Sequence, residues 1–435
     1  MLAVVALLSA CEPISLPALD KPGGTGAVDA GTDVPEDGGD DGGSPDGGPV
    51  APADGGPVES PDAGSDGGDV REDAGSGALE DAGSGTPEDA GGNGQMTPWS
   101  ACEDGWQSRT VRPRGGWASP NFALDSDGDA YFVDYTDNVI RVSTTKPGRV
   151  VEGTGWVGLP WVGGVRVDAQ GEIHLAMSAV ANGSEPMSIS FLRYTEGRWE
   201  RTSTPSGQVK DFDMDAQGNL HALSVVEANG LYFNHVHGRP GALVVDNTGL
   251  EVGDLYRTSL LRADAQGHAH VVYERSTNPK GLYYATNATG VWVKELLSAT
   301  GKEPTIAVTP SGVPHVLFTE EGQLALGIRR TPGDWSTSLL QAWGVGYSSI
   351  AVDSSGGVHV LHPGGLQRQV NYWNNGSGSW VMKTIASYEE ASMPVLDMSV
   401  QVDARGRVHA MYYLVLPDLE TGAMARTLDY ARQCP

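Results

Sequence analysis

The chain has 435 residues, and its 28 Lys and Arg residues against 55 Asp and Glu residues give a formal net charge of −27. A nucleic-acid binder needs a basic surface, so this charge argues against that class of function. No apolar run reaches the roughly 18 residues that a membrane-spanning helix needs, which argues against an integral membrane protein.

The chain opens with a short apolar run that ends in Leu8-Ser9-Ala10-Cys11. This segment resembles the lipobox of bacterial lipoproteins, in which a Cys after small residues is acylated and becomes the new N-terminus. The resemblance implies a signal peptide over residues 1–11 and lipidation at Cys11. Glu12 at the next position then implies an outer-membrane anchor, facing the periplasm or the cell surface. The alternative is an ordinary secretory signal.

Residues 12–97 form an acidic linker with 20 acidic and 2 basic residues and no aromatic side chain. Gly, Pro and like charges cannot bury enough apolar surface to offset chain entropy, so we expect disorder. Charge repulsion should keep the linker extended. A calcium-binding array is the alternative, but the regular ligand spacing of a calcium loop is missing.

A short phrase recurs seven times after the linker. It has Asp at its first position, Gly at the fourth and usually His at the seventh, and successive copies lie 43 to 50 residues apart. A fixed period of this size with β-type content is typical of a β-propeller. The first positions are Asp125, Asp168, Asp215, Asp264, Thr309, Asp353 and Asp403.

Each phrase has the composition of a turn between two strands, with Asp capping the turn and Gly supplying a positive φ. In most repeats a Leu- or Val-x-Tyr strand and a Gly-x-Trp phrase follow, which predicts two more strands. Four strands per repeat make one blade. The sequence therefore predicts an all-β, seven-bladed β-propeller over residues 98–435.

The last repeat is short, because only 32 residues follow Asp403 and they suffice for three strands. The missing Gly-x-Trp phrase occurs at the other end of the domain, where Gly105 and Trp106 begin a strand pattern. We therefore expect the N-terminal strand to complete the last blade as its outer strand. This closure would bring Cys102 next to Cys434, and an exported protein can form that disulfide. The alternative is two free thiols.

The repeated histidines have two interpretations, as metal or acid–base groups or as local hydrogen-bonding groups. Equivalent positions of a propeller lie on a ring, too far apart to share one metal ion with bonds of about 2 Å. We therefore expect each imidazole to bond its own hairpin or to pack between blades. Asp125, Asp127 and Asp129 are similar to the start of a calcium loop but lack the distal Glu. The sequence predicts no metal site and no cofactor.

Motifs for nucleophilic catalysis, phosphate binding and zinc hydrolysis are absent from the sequence. The repeats resemble those of bacterial seven-bladed propeller lipoproteins and, more distantly, BNR or sialidase-like and lectin-type propellers, over about residues 99–435. The Thr-Trp of the sialidase box is missing. The resemblance implies the fold strongly and the function hardly at all.

Fold logic places a binding site on the loops that join one blade to the next around the central channel. Aromatic residues are concentrated there and can stack on sugars or anchor a protein, or they can simply plug the channel mouth. The candidate binding residues are Trp117, Trp156, Trp161, Trp343, Tyr347 and Tyr388.

These features predict a monomeric, lipid-anchored envelope protein that binds a glycan or a protein partner without catalysis. One alternative is a carbohydrate-active enzyme, a glycoside hydrolase or lyase, with Glu303, Glu389 or Glu390 near the channel. The other is a structural envelope protein whose propeller is a rigid spacer.

Overall fold

The computed structural model describes residues 96–112, 118–136, 139–151, 153–156, 161–178, 188–227, 230–253, 258–343, 348–364, 368–388, 396–417 and 424–435. The predicted signal peptide with Cys11 and the predicted linker up to residue 95 lie outside these ranges. The described residues form 27 strands. They include no helix long and apolar enough to cross a membrane.

The strands form seven antiparallel sheets, one for each blade, which confirms the predicted seven-bladed β-propeller. The first strand is β1 (Trp106–Arg112), and blade 1 contains β2 (Ala118–Leu124), β3 (Ala130–Thr136) and β4 (Val139–Thr144). Blade 2 contains β5 (Trp161–Val167), β6 (Ile173–Ser178), β7 (Ser188–Thr195) and β8 (Arg198–Pro205). Blade 3 contains β9 (Gln208–Met214), β10 (Leu220–Glu227), β11 (Leu231–Arg239) and β12 (Ala242–Val252). Blades 4 and 5 are β13 (Ser259–Ala263), β14 (Ala269–Arg275), β15 (Gly281–Thr286) and β16 (Val293–Ser298); and β17 (Lys302–Val308), β18 (Pro314–Glu320), β19 (Gln323–Thr331) and β20 (Asp334–Trp343). Blades 6 and 7 are β21 (Ser349–Val352), β22 (Val358–Gly364), β23 (Gln369–Asn374) and β24 (Val381–Ser387); and β25 (Leu396–Val402), β26 (Val408–Pro417) and β27 (Met424–Gln433).

The ring closes as predicted, because β1 pairs antiparallel with β27 and becomes the outer strand of blade 7. A disulfide joins Cys102 to Cys434, with the two Cα atoms 6.2 Å apart, and confirms the predicted pairing. Thr97, assigned above to the linker, already bonds the edge of β1: its amide donates to the Thr110 carbonyl at 2.9 Å. The N-terminus of the propeller is thus held by both a β-ladder and a covalent bond.

The repeated phrase forms the tight turn between the first two strands of each blade. In blade 4, Asp264 Oδ1 accepts hydrogen bonds from the amides of Gln266 and His268 at 2.9 and 2.8 Å. Gly267 has φ +85°, a conformation that an L side chain rarely adopts. The Asp cap and the glycine turn are both confirmed.

The repeated His extends this turn into a buried polar chain. His270 Nε2 lies 3.2 Å from Asp264 Oδ2, and its Nδ1 lies 2.7 Å from the Tyr284 hydroxyl. Blades 6 and 7 repeat this chain through His359 and His409. Because both ring nitrogens are used inside the blade, the predicted local role of these imidazoles is confirmed.

The apolar core is divided into clusters between neighbouring blades. At the closure, Phe122 and Phe132 of blade 1 pack against Tyr430 of blade 7, with ring centroids 6.0 and 5.1 Å apart. All three side chains are fully buried. Blade-to-blade packing therefore fixes the innermost strands around the axis and gives the channel a defined wall.

Candidate functional site in the axial channel

The innermost strands β2, β5, β9, β13, β17, β21 and β25 surround an axial cavity of about 480 Å³. The period-2 alternation of each strand turns the residues two and four positions before the repeated phrase towards the axis. The polar wall residues at these positions are Arg166, Asp213, Arg262, Thr305, Ser349, Ser399 and Gln401. The sequence prediction missed this set, although its fixed offset from each phrase is a usable signal.

Two arginines and two aspartates form a charged cluster in the wall nearest the repeated turns. Arg166 Nε donates to Asp213 Oδ1 at 2.5 Å, and Arg262 Nη1 donates to Asp211 Oδ2 at 2.9 Å. The amides of Leu261 and Ala263 also donate to these carboxylates, at 2.8 and 2.9 Å. The cluster therefore joins blades 2, 3 and 4.

The charges of this cluster are mutually compensated. Burial by itself would raise the pKa of Asp213, but the neighbouring Arg166 and Arg262 outweigh it and hold that pKa below its usual value. The side chains of Arg166 and Arg262 are 16% and 25% exposed, so part of each guanidinium faces the channel. They are donors that a ligand in the channel can reach.

Glu303 and Asp397 line the channel in an unusual backbone conformation, with φ +52° and +44°. Each lies at the start of an innermost strand where the ladder register shifts. The other non-glycine residues with positive φ in the described part of the chain each precede the glycine of a tight turn: Asp104, Glu196 and Glu321. A bulge re-aims a side chain, and strained backbone is concentrated at functional sites.

Burial raises the pKa of Asp397, and the nearby Arg426 only partly opposes this effect. Glu303 has a different environment. Its amide donates to Glu274 Oε1 at 2.8 Å, and its Oε2 accepts a hydrogen bond from the Thr319 hydroxyl at 3.5 Å. The channel wall thus carries two carboxyl groups with different hydrogen-bonding partners.

Glu303 lines the channel and also a surface groove of about 740 Å³. The groove runs between blades 4 and 5 and carries charged groups of both signs, including Glu274, Lys280 and Lys302. We refer to the groove and the channel together as the cleft; its walls carry hydrogen-bond donors and acceptors as well as apolar surface. Lys302 and Glu303 are the first two residues of β17.

Trp156 and Trp161, both predicted as binding residues, have different surroundings. Trp156 packs against the core cluster of blades 1 and 2, and the Arg201 guanidinium lies 4.5 Å from its ring centroid. Trp161 is 45% exposed at the first position of β5, with Lys210 Nζ 5.8 Å from its ring centroid. Of the two, Trp161 offers an accessible aromatic face.

Tyr388, also predicted as a binding residue, lies at the outer edge of blade 6. Its hydroxyl donates to Asp429 Oδ2 at 3.2 Å, and it lines a separate surface pocket beside β1. Trp343 ends β20, and its side chain is outside the described part of the structure. Trp117, Tyr347, Glu389 and Glu390 lie outside the described residues.

The calcium-like triplet Asp125, Asp127 and Asp129 has a cation of its own. Lys146 Nζ lies 2.8 Å from Asp125 Oδ2 and 3.1 Å from Asp127 Oδ2. These two hydrogen bonds raise the pKa of Lys146. The ammonium group therefore offsets one of the three negative charges of the triplet.

No family model and no curated protein matches the chain. Among solved structures, a virginiamycin B lyase from Staphylococcus aureus is 13% identical with a TM-score of 0.49, and the match covers 76% of this chain and 99% of the lyase. The NanB sialidase from Streptococcus pneumoniae is 11% identical with a TM-score of 0.41, over 74% of this chain and 68% of the sialidase. The polysaccharide lyase Uly1 is 10% identical with a TM-score of 0.45, over 74% and 90%. Identities this low show a shared fold only, so the lyase and sialidase activities are statements about those three proteins.

Proposed function

We propose that this protein is a lipid-anchored cell-envelope propeller that binds a glycan in the cleft formed by the axial channel and the groove beside it. The observation that carries the proposal is the axial cavity with its polar wall residues, which shares Glu303 with the groove. A cavity of about 480 Å³ is in the range of small-molecule sites, so it suits sugar units better than a protein surface.

The chemistry of the cleft supports a polar ligand. A sugar hydroxyl both donates and accepts hydrogen bonds, and the channel wall supplies partners of each kind. Arg262 and the Gln401 amide are donors, Glu303 and Asp397 are acceptors, and the Thr305 hydroxyl is both. Trp161 is not among the lining residues of either cavity, but its exposed ring at the start of β5 is an aromatic face of the kind on which sugars stack.

Binding of the full chain to a panel of envelope and extracellular polysaccharides, followed by titration calorimetry on the best ligand, tests this proposal. Ala351 lines the channel, so Ala351→Trp places a large side chain in the channel space. Ala242→Trp adds the same side chain at an exposed position of β12. We expect Ala351→Trp to weaken binding at least tenfold and Ala242→Trp to leave it unchanged, with both variants folded by circular dichroism. A panel without any bound glycan, or equal affinity in both variants, refutes the proposal.

The second candidate is a carbohydrate-active enzyme, a glycoside hydrolase or lyase, that uses the same cleft. It is favoured by the positive φ of Glu303 and Asp397, the two channel carboxyl groups at strand bulges. Reducing-sugar release, and the absorbance of an unsaturated product, would detect hydrolysis and elimination on the same panel. Glu303→Gln and Asp397→Asn should abolish turnover while glycan binding persists. Binding without turnover in the unmodified protein counts against this candidate.

The anchor and the monomeric state are separate parts of the proposal. The anchor is supported by the small-residue sequence before Cys11 and by the export-compatible disulfide between Cys102 and Cys434. Mass spectrometry of protein from native membranes should find an acylated Cys11 at the N-terminus. Sedimentation of the detergent-solubilised protein should give a monomer. An unmodified Cys11 would contradict the anchor and leave the glycan proposal standing.

A further inference from the structure

We propose a binding site for a divalent transition metal, Zn²⁺ foremost, formed by His235, His237 and Asp246 on the two outer strands of blade 3. His235 and His237 alternate along β11 and so share one face of the sheet. Asp246 on β12 is the cross-strand partner of His235. One ligand atom from each of the three side chains lies within 4.8 Å of the others.

The repeat itself explains how the site arises. In blade 4, the buried chain from the repeated Asp through His270 ends on the hydroxyl of Tyr284, fourteen residues after that histidine. In blade 3, His235 occupies the corresponding position, fourteen residues after His221, and its Nε2 lies 3.1 Å from His221 Nδ1. The Tyr284 phenol ends the hydrogen-bonded chain of blade 4, whereas the His235 imidazole of blade 3 has a second ring nitrogen beyond the one that faces His221.

That second nitrogen is available for a metal. His235 is 1% exposed, and its Nδ1 has no hydrogen-bond partner among the described residues. A buried polar atom without a partner is costly unless something satisfies it. The ring of His235 stacks on that of His237 with centroids 4.7 Å apart and an interplanar angle of 12°. Lone pairs of stacked imidazoles lie in parallel planes, so the exposed His237 ring has to turn for one metal ion to be bound by both rings and satisfy the free nitrogen of His235.

The groups behind His235 have the arrangement that supports metal-binding imidazoles in proteins. His221 Nε2 lies 3.3 Å from Asp215 Oδ2, so a carboxylate and a second imidazole hold the far side of the His235 ring. Such outer partners fix the orientation and tautomer of a ligating histidine. The rings of Trp292 and His235 form a T-shaped pair with centroids 5.5 Å apart.

The exposure of the other two ligands leaves a path for the ion. The side chains of His237 and Asp246 are 34% and 47% exposed, and His237 Nε2 lies 2.8 Å from Asp246 Oδ2. A metal ion would replace this hydrogen bond, with bonds of about 2.0 to 2.2 Å and water at the fourth position. Two imidazoles favour Zn²⁺ and similar ions over Mg²⁺ or Ca²⁺, which prefer oxygen ligands.

Titration calorimetry of the chelator-treated full chain with ZnCl₂ tests the site, together with the thermal midpoint at increasing zinc. His237→Ala and Asp246→Asn change the two exposed ligands and leave the buried His235 in place. His268→Ala is the matched control, because His268 is 38% exposed and also pairs with a carboxylate, 3.0 Å away. Cobalt in place of zinc provides an absorption spectrum of the bound ion.

We expect one high-affinity zinc ion per chain, a thermal midpoint that rises with zinc, and a tetrahedral cobalt spectrum. His237→Ala should weaken this binding at least a hundredfold and Asp246→Asn at least tenfold, and in each variant the rise in the thermal midpoint should need correspondingly more zinc. His268→Ala should keep all three properties. Absence of high-affinity binding in the unmodified protein, or equal binding in His237→Ala, overturns the proposal.

Discussion

Removal of the disulfide between Cys102 and Cys434 should lower the free energy of unfolding by several kcal/mol while the folded ring persists. The bond joins residues 332 positions apart. In the chain-entropy account, its effect on the unfolded chain grows with the logarithm of loop length and reaches about 6 kcal/mol for a loop of this size. The reduced ring should still close, because the ladder from Trp106 to Gln433 remains.

Urea unfolding of the Cys102→Ser/Cys434→Ser double variant, followed by tryptophan fluorescence and circular dichroism, measures this effect. The unmodified protein in reducing agent is the internal control and should unfold at the same urea concentration as the double variant. The double variant itself should not respond to the reductant. A loss below about 1 kcal/mol, against the several expected, would show that the bond does not restrict the unfolded chain as the loop length requires.

Three smaller perturbations test the repeat. Tyr430→Phe removes the hydroxyl that lies 2.5 Å from His409 Nδ1. Because a buried nitrogen loses its partner, the free energy of unfolding in denaturant titrations should fall by about 1–3 kcal/mol. An unchanged midpoint would contradict the buried hydrogen-bonded chain. Burial lowers the pKa of His409 to about 4. Below about pH 6.5 this histidine is therefore protonated in the unfolded chain before it is protonated in the folded protein, and the free energy of unfolding should fall between pH 6.5 and 4. Urea midpoints that stay constant over this range would count against the buried, neutral histidine. Gly207→Ala places a Cβ 2.1 Å from the Val225 carbonyl oxygen. It should lower the melting temperature far more than Gly218→Ala, because the Cβ at position 218 meets open space and only about 1–2 kcal/mol of backbone strain remains. Equal losses in the two variants would refute the steric argument.

The blades and their closure could be predicted because each depends on local sequence that repeats. The Asp–Gly turn of Asp264 and Gly267 is built within four residues, so its chemistry is readable in any copy. The closure was readable because Gly105 and Trp106 supply the one phrase that the last repeat lacks. The Cys102–Cys434 pairing then followed from the topology.

The channel carboxylates were only partly predictable. Glu303 was expected near the axis and lines it, but its strand bulge depends on register with β18, which no local pattern encodes. Asp397 was missed for the same reason.

The histidine cluster on blade 3 was also missed. His235 and Asp246 lie on different strands and meet only through the register of β11 and β12. The sequence prediction of no metal site considered recognised motifs, and a cross-strand pair forms no such motif. The signal that identifies this cluster is a comparison of each repeat with its consensus, because blade 3 has His235 where blade 4 has Tyr284.

The disulfide also decides how the propeller responds to mechanical load. Cys102 lies between residue 96 and the first residue of β1, and Cys434 lies directly after β27. A pulling force on the N-terminal side first loads the hydrogen bonds that Thr97 and Ser100 make with β1, and then passes through the sulfur–sulfur bond to the end of β27. The ladder between β1 and β27 lies beyond that bond, so it should not unzip while the bond is intact.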